Sequence, residues 1–493
     1  MRFTIRNLQK AIGMAALTLA VYSAPAVLAP IADLGGVVAA EEETPSKYAK
    51  TKTKRFQAMS QRFYEMQTKI WEAINGKKDE KTEKVIEQPN LPKAREYLDE
   101  LKERFSRYND AEKAAYWTME SVYWYNKEQF PKVIQAYEEF LKYHEAVPLS
   151  QVSNALKTLG QLYLQDGNFN KALEYLYEWK GIAEIFTASD KYTLAQAHFV
   201  AFQYHSDRQE EFQKSGRAND AKTESAKASD HMAKTLRWLE QAIADFEAEA
   251  KTPEESWWVL QRYCYYYKKD IRKVADILVN LVSHYPKVKY WEQLGTVYSE
   301  LERPMDHLVA HDSLFMQEKL TQEGYLKNLA YLYLQMEAPY EAAQVLQWGL
   351  DNGHLPKTIK NYDVLSQAYY NSRETDKAIP VLERAADMSE DGRLMERLVT
   401  MYSVVRRDKE VIETAKKAIA KGNLKNEGQT WIYMGISHYY LKQYSAAEKA
   451  FVKAKKFDKT KKQAENWVSY VEDERTRLKA LDDMRKSLQQ AAN

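Results

Sequence analysis

Apolar residues recur at spacings of three and four along most of this chain, with polar residues between them. Near the start, two such stripes are formed by Phe56, Met59, Phe63, Met66, Ile70 and Ile74 and by Ala94, Leu98, Leu101 and Phe105. Side chains three and four positions apart share one face of an α-helix. The pattern predicts two amphipathic helices that pack together, although the first stripe also suits a short coiled-coil seam between two chains.

A longer period appears further along the chain. The stretch from Trp291 to Tyr298 has the form Trp-x2-Leu-Gly-x2-Tyr, which matches the first-helix signature of the tetratricopeptide repeat (TPR). Aligned on the position of Gly295, which we name the Gly position, related copies lie at Gly160, Arg262, Ala330, Ser366, Val399 and Gly435. From Arg262 onward the copies are 33 to 36 residues apart, close to the TPR period of about 34.

Each copy is followed by a second apolar stripe. Its core positions lie twelve and sixteen residues after the Gly position, as Ala172 and Leu176 do after Gly160. A helical pair of this kind buries its apolar faces only against neighbouring pairs, so many pairs can form one continuous array. We therefore predict an all-α fold, a TPR superhelical solenoid of about ten helical pairs.

These patterns predict six segments along the chain. They are a signal peptide at 1–40, a degenerate first repeat at 47–108 with a polar loop at 76–92, TPR repeats at 114–186, a degenerate repeat at 187–254 with a charged insert at 206–230, consecutive TPR repeats at 255–461, and a C-terminal capping helix at 462–493. The insert has almost no apolar residue, so we expect it either to lengthen its helical hairpin or to loop out.

The N-terminus has the pattern of a secretory signal. Arg2, Arg6 and Lys10 precede an uncharged run over residues 11–32, and small residues at 38–40 precede an acidic stretch. Basic start, apolar centre and small-residue exit predict a signal peptide that is cleaved after Ala40. The alternative is an uncleaved membrane anchor, since about 20 apolar residues can span a bilayer.

Net charge and cysteine content exclude some classes of function. With 72 basic and 70 acidic side chains the chain is nearly neutral, so it has no overall field that would attract nucleic acid. Cys264 is the only cysteine, which excludes an intrachain disulfide and suggests a small buried side chain. Nucleic-acid binding is therefore not expected.

Motifs for catalysis or cofactor binding are absent. The sequence has no Gly-rich phosphate loop, no Gly-x-Ser-x-Gly elbow and no His-Glu-x-x-His. His307 and His311 have the four-residue spacing of two helical metal ligands. They occupy inward packing positions of a repeat and have no evident third ligand, so packing or a hydrogen-bonded pair is the favoured interpretation. We predict a protein that is not an enzyme and has no cofactor.

The remaining prediction is protein binding. First helices of a TPR array line a groove, and its positions hold Lys157, Gln161, Tyr263, Tyr266, Lys327, Tyr331, Tyr370 and Tyr439. Tyrosine offers a rigid apolar ring with a polar tip, which suits contact with a peptide or helix. These rings could instead cover neighbouring helices. Lys157 and Lys327 are not followed by Asn four residues on, which departs from the TPR clamp for terminal carboxylates.

With those residues in view, nearly the whole chain resembles a family of proteobacterial periplasmic TPR proteins described as components of TonB-type energy-transducing systems. The resemblance is closest over residues 290–295, 328–343 and 428–467. It implies a periplasmic scaffold, accessory to uptake of iron chelates or similar nutrients, with a TonB-type subunit or a TonB-dependent receptor as partner. It identifies no functional residue. The alternatives are a cell-envelope assembly factor for outer-membrane or peptidoglycan machinery and a helical peptidoglycan-lytic enzyme.

Overall fold

The structure is a computed structural model that describes residues 46–49, 57–78 and 85–491. The expected signal peptide, the cleavage point after Ala40 and Phe56 lie outside these residues. The chain forms two compact units, Met1–Lys268 and Lys269–Asn493. Each has its own helical core and is described separately below.

The first unit contains nine helices in its described part. They are α1 (Gln61–Asn75), α2 (Leu91–Glu103), α3 (Asp110–Asn126), α4 (Phe130–Leu141), α5 (Leu149–Gln165), α6 (Phe169–Lys180), α7 (Ala188–Lys214), α8 (Ala218–Ala248) and α9 (Glu255–Tyr267). Two short antiparallel strands, β1 (Lys77–Lys78) and β2 (Val85–Glu87), lie between α1 and α2. Helices α1 to α8 pack as four successive hairpins.

The second unit contains twelve helices in its described part. They are α10 (Ile271–His284), α11 (Val288–Glu300), α12 (Pro304–Phe315), α13 (Glu323–Gln335), α14 (Pro339–Asp351), α15 (Ile359–Asn371), α16 (Thr375–Met388), α17 (Arg393–Val404), α18 (Asp408–Lys421), α19 (Glu427–Tyr440), α20 (Tyr444–Ala454) and α21 (Asp458–Ala491). Helices α11 to α20 form five hairpins, each packed against the next, and α21 covers the last one. The predicted all-α TPR fold is confirmed.

Close packing at the Gly position confirms the predicted register. A Cβ added at Gly160 would lie 2.6 Å from the Leu176 side chain, and one at Gly295 would lie 2.5 Å from His311 Nε2. At Gly435 the same atom would lie 2.6 Å from the Phe451 ring. In all three hairpins the neighbour is the residue sixteen positions on. The missing side chain lets the second helix approach this closely.

The turn inside these hairpins also repeats. Seven residues after each Gly position the backbone has a left-handed φ, at Gly167, Glu302, Glu337, Arg373, Arg406 and Lys442. Only the first of these is glycine, although a left-handed conformation is unfavourable for other L-residues. The repeated value, between 54° and 82° at these positions, indicates that these six helical pairs share one turn geometry.

The first repeat differs in part from its prediction. The stripe residues Phe63, Ile70 and Ile74 are buried in a core with Leu98 and Leu101 of α2. This is the packing interpretation rather than a coiled-coil seam. Met59 lies before α1 and is exposed. Residues 76–92 were expected to form a polar loop, but β1 and β2 occur within them, because the backbone groups of these two strands pair with each other.

The charged insert is helical. Residues 206–230 extend both helices of one hairpin, so that α7 has 27 residues and α8 has 31. Phe212, Ala221 and Ala228 within the insert are buried. Of the two alternatives, the structure therefore shows the longer hairpin.

The repeat expected around Arg262 is divided between the units. Its first helix, α9, belongs to the first unit, and the helix expected as its partner, α10, belongs to the second. In the described part of the chain, no helix is both long and apolar enough to cross a membrane.

Candidate protein-interaction site

Helix α9 buries one face and exposes three tyrosines on the other. Trp257, Trp258, Leu260 and Cys264 are buried. Tyr263, Tyr266 and Tyr267 are 42%, 62% and 45% exposed, and we call these three residues the tyrosine patch. Tyr263 and Tyr266 were predicted from their repeat positions. Tyr267 was missed, although its four-residue spacing from Tyr263 places both on one side of the helix.

Two phenylalanines of α7 support the patch from below. The Phe199 and Tyr263 rings meet edge to face with centres 5.3 Å apart, and Phe202 meets Tyr267 in the same way at 4.8 Å. Such edge-to-face pairs favour fixed ring orientations. Tyr266 is the most exposed of the three. The patch thus has two anchored rings and one that projects furthest into solvent.

The patch is electrically neutral. Burial raises the pKa of Tyr263, and the neighbouring Cys264, Tyr267 and Asp207 add to the rise. Beneath it, burial raises the pKa of Cys264 to about 12, so this thiol is not a nucleophile at neutral pH. The arrangement provides apolar ring surface with hydroxyl groups at its edge and no reactive group.

Of the two polar groove residues predicted in the first unit, Lys157 already has partners. Lys157 Nζ lies 2.8 Å from Asp190 Oδ1 and 4.8 Å from the centre of the Trp179 ring. Gln161 lies one turn further along α5 and is half-buried. Lys157 therefore holds α5 to the start of α7.

The four predicted residues of the second unit differ in exposure. Tyr331 is 44% exposed, whereas Lys327 forms an ion pair with Glu323 one turn away. Tyr370 packs against the core of the unit. Tyr439 is covered by α21. Of the three tyrosines, Tyr331 has the most accessible ring. The binding role of all eight predicted positions stays a prediction.

Tyr439 belongs to an aromatic cluster at the C-terminal end of the second unit. Its ring centre lies 5.8 Å from that of Trp467 and 5.3 Å from that of Tyr470. A hydrogen bond with Tyr470, together with burial, raises the pKa of Tyr439. These contacts give Tyr439 a role in fastening α21 to α19.

His307 and His311 form the hydrogen-bonded pair that the sequence favoured. His307 Nε2 and His311 Nδ1 are 3.1 Å apart, and both rings are buried. Burial lowers the pKa of His307 and, with the neighbouring His307, lowers that of His311 to about 4. Among the described residues, no group of three or more His, Cys, Asp or Glu side chains is arranged to hold a metal ion.

A second histidine cluster was not predicted. His198 and His205 on α7 lie beside His231 and Glu224 on α8. The only sequence signal is that each helix carries its two residues seven positions apart. That spacing gains meaning only once the two helices are known to pack together.

The solved structures that resemble this chain have repeat folds, but their sequence identity and TM-scores are low. No protein-family model and no curated protein matches this chain. A crystal structure of MamA protein is 17% identical, with 36% of this chain and 94% of MamA covered and a TM-score of 0.29. A tetratricopeptide repeat protein from Parabacteroides merdae ATCC 43184 is 13% identical over 55% of this chain and 98% of its own, with a TM-score of 0.24.

The Cut9–Hcn1 hetero-tetramer of the APC/C is also similar. Its matching chain is 14% identical, with 78% of this chain and 81% of that chain covered and a TM-score of 0.24. TM-scores this low carry no functional argument. The fold assignment rests on the hairpins and their glycine contacts described above.

Proposed function

We propose that this protein is a TPR scaffold that binds a peptide segment of a partner protein on the tyrosine patch of α9. The observation that supports the proposal is the cluster of three exposed, neutral tyrosines on one helix, two of them held by phenylalanines beneath. Tyrosine and other aromatic residues dominate the binding energy of many protein interfaces. Rings that are already oriented lose little conformational entropy when a partner binds.

The chemistry of the patch defines its ligand. Three phenol rings offer apolar surface to aliphatic or aromatic side chains, and their hydroxyls can donate to backbone carbonyl groups. The patch itself has no charged side chain with which to select an acidic or basic tail. The proposed ligand is therefore an apolar peptide segment rather than a charged terminus.

The cellular setting is a separate part of the proposal. We propose that the scaffold acts in the periplasm as an accessory component of a TonB-dependent uptake system for iron chelates or similar nutrients. Two sequence observations support it: the secretory pattern of residues 1–40 and the resemblance over residues 290–295, 328–343 and 428–467. A TonB-type subunit or a TonB-dependent receptor is the expected partner.

Export can be tested independently of binding. Protein isolated from the periplasmic fraction of the native host should begin at Glu41 when its N-terminus is sequenced. Recovery of the unprocessed chain from the cytosol would contradict the periplasmic location. Recovery of the unprocessed chain from the inner membrane would favour the anchor alternative.

The binding site can be tested by removing the rings. We expect the full mature chain carrying Tyr263→Ala, Tyr266→Ala and Tyr267→Ala to capture at least about tenfold less partner from a solubilised envelope extract, since truncating an interface tyrosine commonly costs more than 1 kcal/mol. Recovery of TonB-type subunits and TonB-dependent receptors is measured by mass spectrometry. Tyr64→Ala is the matched control, because Tyr64 is 60% exposed on α1, outside the patch.

The single variant Tyr266→Ala separates binding from folding. Tyr266 is the most exposed ring of the patch, so its removal should leave the thermal unfolding curve unchanged while reducing recovery. Equal recovery by wild type and both patch variants would disprove the site. Patch-dependent recovery of outer-membrane or peptidoglycan assembly proteins, without TonB-type proteins, would support the patch but replace the TonB proposal by the assembly-factor alternative.

A further inference from the structure

The long hairpin of the first unit contains a layered histidine cluster. His198 faces His231 across the α7–α8 interface, and His205 faces Glu224. In each helix the two residues are seven positions apart, which is two helical turns. His198, His205 and Glu224 are buried, and His231 is half-buried. Four titratable side chains therefore meet inside one helical interface.

The first layer is a hydrogen bond between two imidazoles. His198 Nδ1 and His231 Nδ1 are 3.0 Å apart, so one of the two nitrogens donates a proton and the other accepts it. The bond requires one proton between the two rings. If both Nδ1 atoms were protonated, two N–H groups would point at each other, and a ring that also carried a proton on Nε2 would be positively charged.

The second layer already contains an ion-pairing partner. His205 Nδ1 lies 2.5 Å from Glu224 Oε2, and Lys227 Nζ lies 2.9 Å from the other carboxylate oxygen. Burial alone would raise the pKa of Glu224, but the hydrogen bonds from His205 and Lys227 hold it below its ordinary value. The carboxylate thus stays charged and can stabilise a cationic His205.

The two layers are in contact with each other. The His205 and His231 rings stack nearly parallel, with centres 5.4 Å apart. Like charges on these two stacked rings would repel each other. Burial lowers the pKa of His231, and His205 and Lys234 lower it further, while Asp230 acts in the opposite direction. Burial likewise lowers the pKa of His198 to about 3, with contributions from His231 and Lys234 against Asp230.

Helix α6 is attached to the hairpin through this cluster. Tyr177 OH and His198 Nε2 share a hydrogen bond of 2.8 Å. Phe169, the first residue of α6, packs edge to face on His205 at 5.6 Å and on His231 at 6.2 Å between ring centres. Residues near both ends of α6 thus contact the three imidazoles.

We propose that this cluster is an acid-sensitive clamp. At neutral pH it fastens α6 to the α7–α8 hairpin, and it releases α6 when a second proton enters the contact between His198 Nδ1 and His231 Nδ1. The groups that face the pair are Tyr177 from α6, His205 from α7, and Glu224, Asp230 and Lys234 from α8. Lys234 and His205 oppose a further positive charge on the pair, and the Tyr177 hydroxyl is neutral. The carboxylates of Glu224 and Asp230 favour such a charge.

The direction of the pH effect follows from linkage. A histidine whose pKa is lower in the folded than in the unfolded chain binds fewer protons when folded. Folding is therefore favoured above pH 6.5, the ordinary histidine value, and each pH unit below it shifts the equilibrium by up to about tenfold towards the open form until the folded pKa is reached. For His198 this window extends from about 6.5 down to about 3.

Amide hydrogen exchange on the full mature chain tests the clamp. After correction for the intrinsic rate, we expect protection of α6 to fall at least tenfold between pH 7.5 and pH 5.0. Helices α15 and α16, which contain no histidine, should change less than twofold. In the double variant His198→Gln, His231→Gln, the amides cannot titrate but can still hydrogen-bond, so the acid response of α6 should be lost. His284→Gln, at an exposed histidine of the second unit, should respond as wild type does.

Two results would overturn the proposal. One is a wild-type α6 that is equally protected at both pH values, and the other is a double variant that is as acid-sensitive as wild type. Exchange of the imidazole Cε1 hydrogens, followed by mass spectrometry, reports each histidine in the unmodified protein and needs no variant. His198 should titrate well below 6.5 and His231 below 6.5; midpoints at the ordinary value would also overturn the clamp.

Discussion

Gly295 sets how closely α11 and α12 approach each other. A Cβ at this position would lie 2.5 Å from His311 Nε2 and 2.8 Å from its Cδ2. The His311 ring is itself held by its bond to His307, so it has little freedom to move away. Only glycine fits at position 295 without displacing the His311 imidazole.

We expect Gly295→Ala to destabilise the second unit by about 2 kcal/mol, the typical cost of overpacking a core. Urea unfolding at pH 7.5 measures the change. The control is Gly324→Ala, since a Cβ at Gly324 on α13 would meet nothing within 4 Å. Alanine is the better helix former, so the control should be unchanged or up to about 1 kcal/mol more stable. Equal stability of both variants would refute the packing argument.

At this scale the sequence predicted the contacts that belong to the repeat. The pairs Gly160–Leu176, Gly295–His311 and Gly435–Phe451 follow from an offset of sixteen residues that the motif defines. The pair His198–His231 has no such rule. Its two residues are 33 positions apart and are separated by a charged insert without a repeat marker, so only the packed hairpin shows that they meet.

Among the secondary-structure elements, the turns that join paired helices have a strained backbone. Glu337, between α13 and α14, has a φ of 57° and an exposed side chain. A left-handed conformation costs a non-glycine residue about 1–2 kcal/mol, whereas glycine adopts it freely. The strain persists because the helices on either side are fixed by their own packing.

We therefore expect Glu337→Gly to stabilise the second unit by about 0.5–1 kcal/mol, the strain relieved less the extra chain entropy of glycine. Glu413→Gly is the contrasting change, because Glu413 is exposed in the interior of α18, where glycine should cost about 1 kcal/mol. The difference in urea midpoint between the two variants is the measurement. Loss of stability in both would show that the turn is not strained.

Helix existence was predictable from periodicity, but the extent of α7 and α8 was not. The insert at 206–230 lacks the apolar period that marks a buried face. Inside the hairpin, Phe212, Ala221 and Ala228 are buried between the two helices, and the small alanine side chains allow close approach. The strands β1 and β2 were also missed, since their pairing uses backbone groups rather than an apolar pattern.

At the scale of the whole molecule, stability should be local. Each hairpin buries its apolar faces against its neighbours, and energies in such arrays are sums of nearest-neighbour terms. The division at Lys268 and Lys269 was not predicted, because the copy around Arg262 has the same spacing as the others. In the structure, Lys269 also has the left-handed φ of the other turns, at 60°. The TPR motif therefore predicts the geometry of each hairpin but does not predict where the core of the first unit ends.

This locality can be measured with the Gly295→Ala variant. Amide protection should fall in α11 and α12 and in the helices next to them, α10 and α13, while α1 to α8 of the first unit keep wild-type protection. Hydrogen exchange of both units at one pH gives the comparison. A uniform loss of protection along the whole chain would show that the molecule unfolds as one cooperative body.

The repeated turn conformation also bears on how such a chain can change its length. Glu302 and Glu337 have φ values of 54° and 57°, so deleting one repeat between them would join two turns whose residues have matching φ. Whole repeats can then be duplicated or lost in a gene without a new connection being invented. The number of hairpins in such proteins can therefore change by one at a time during evolution.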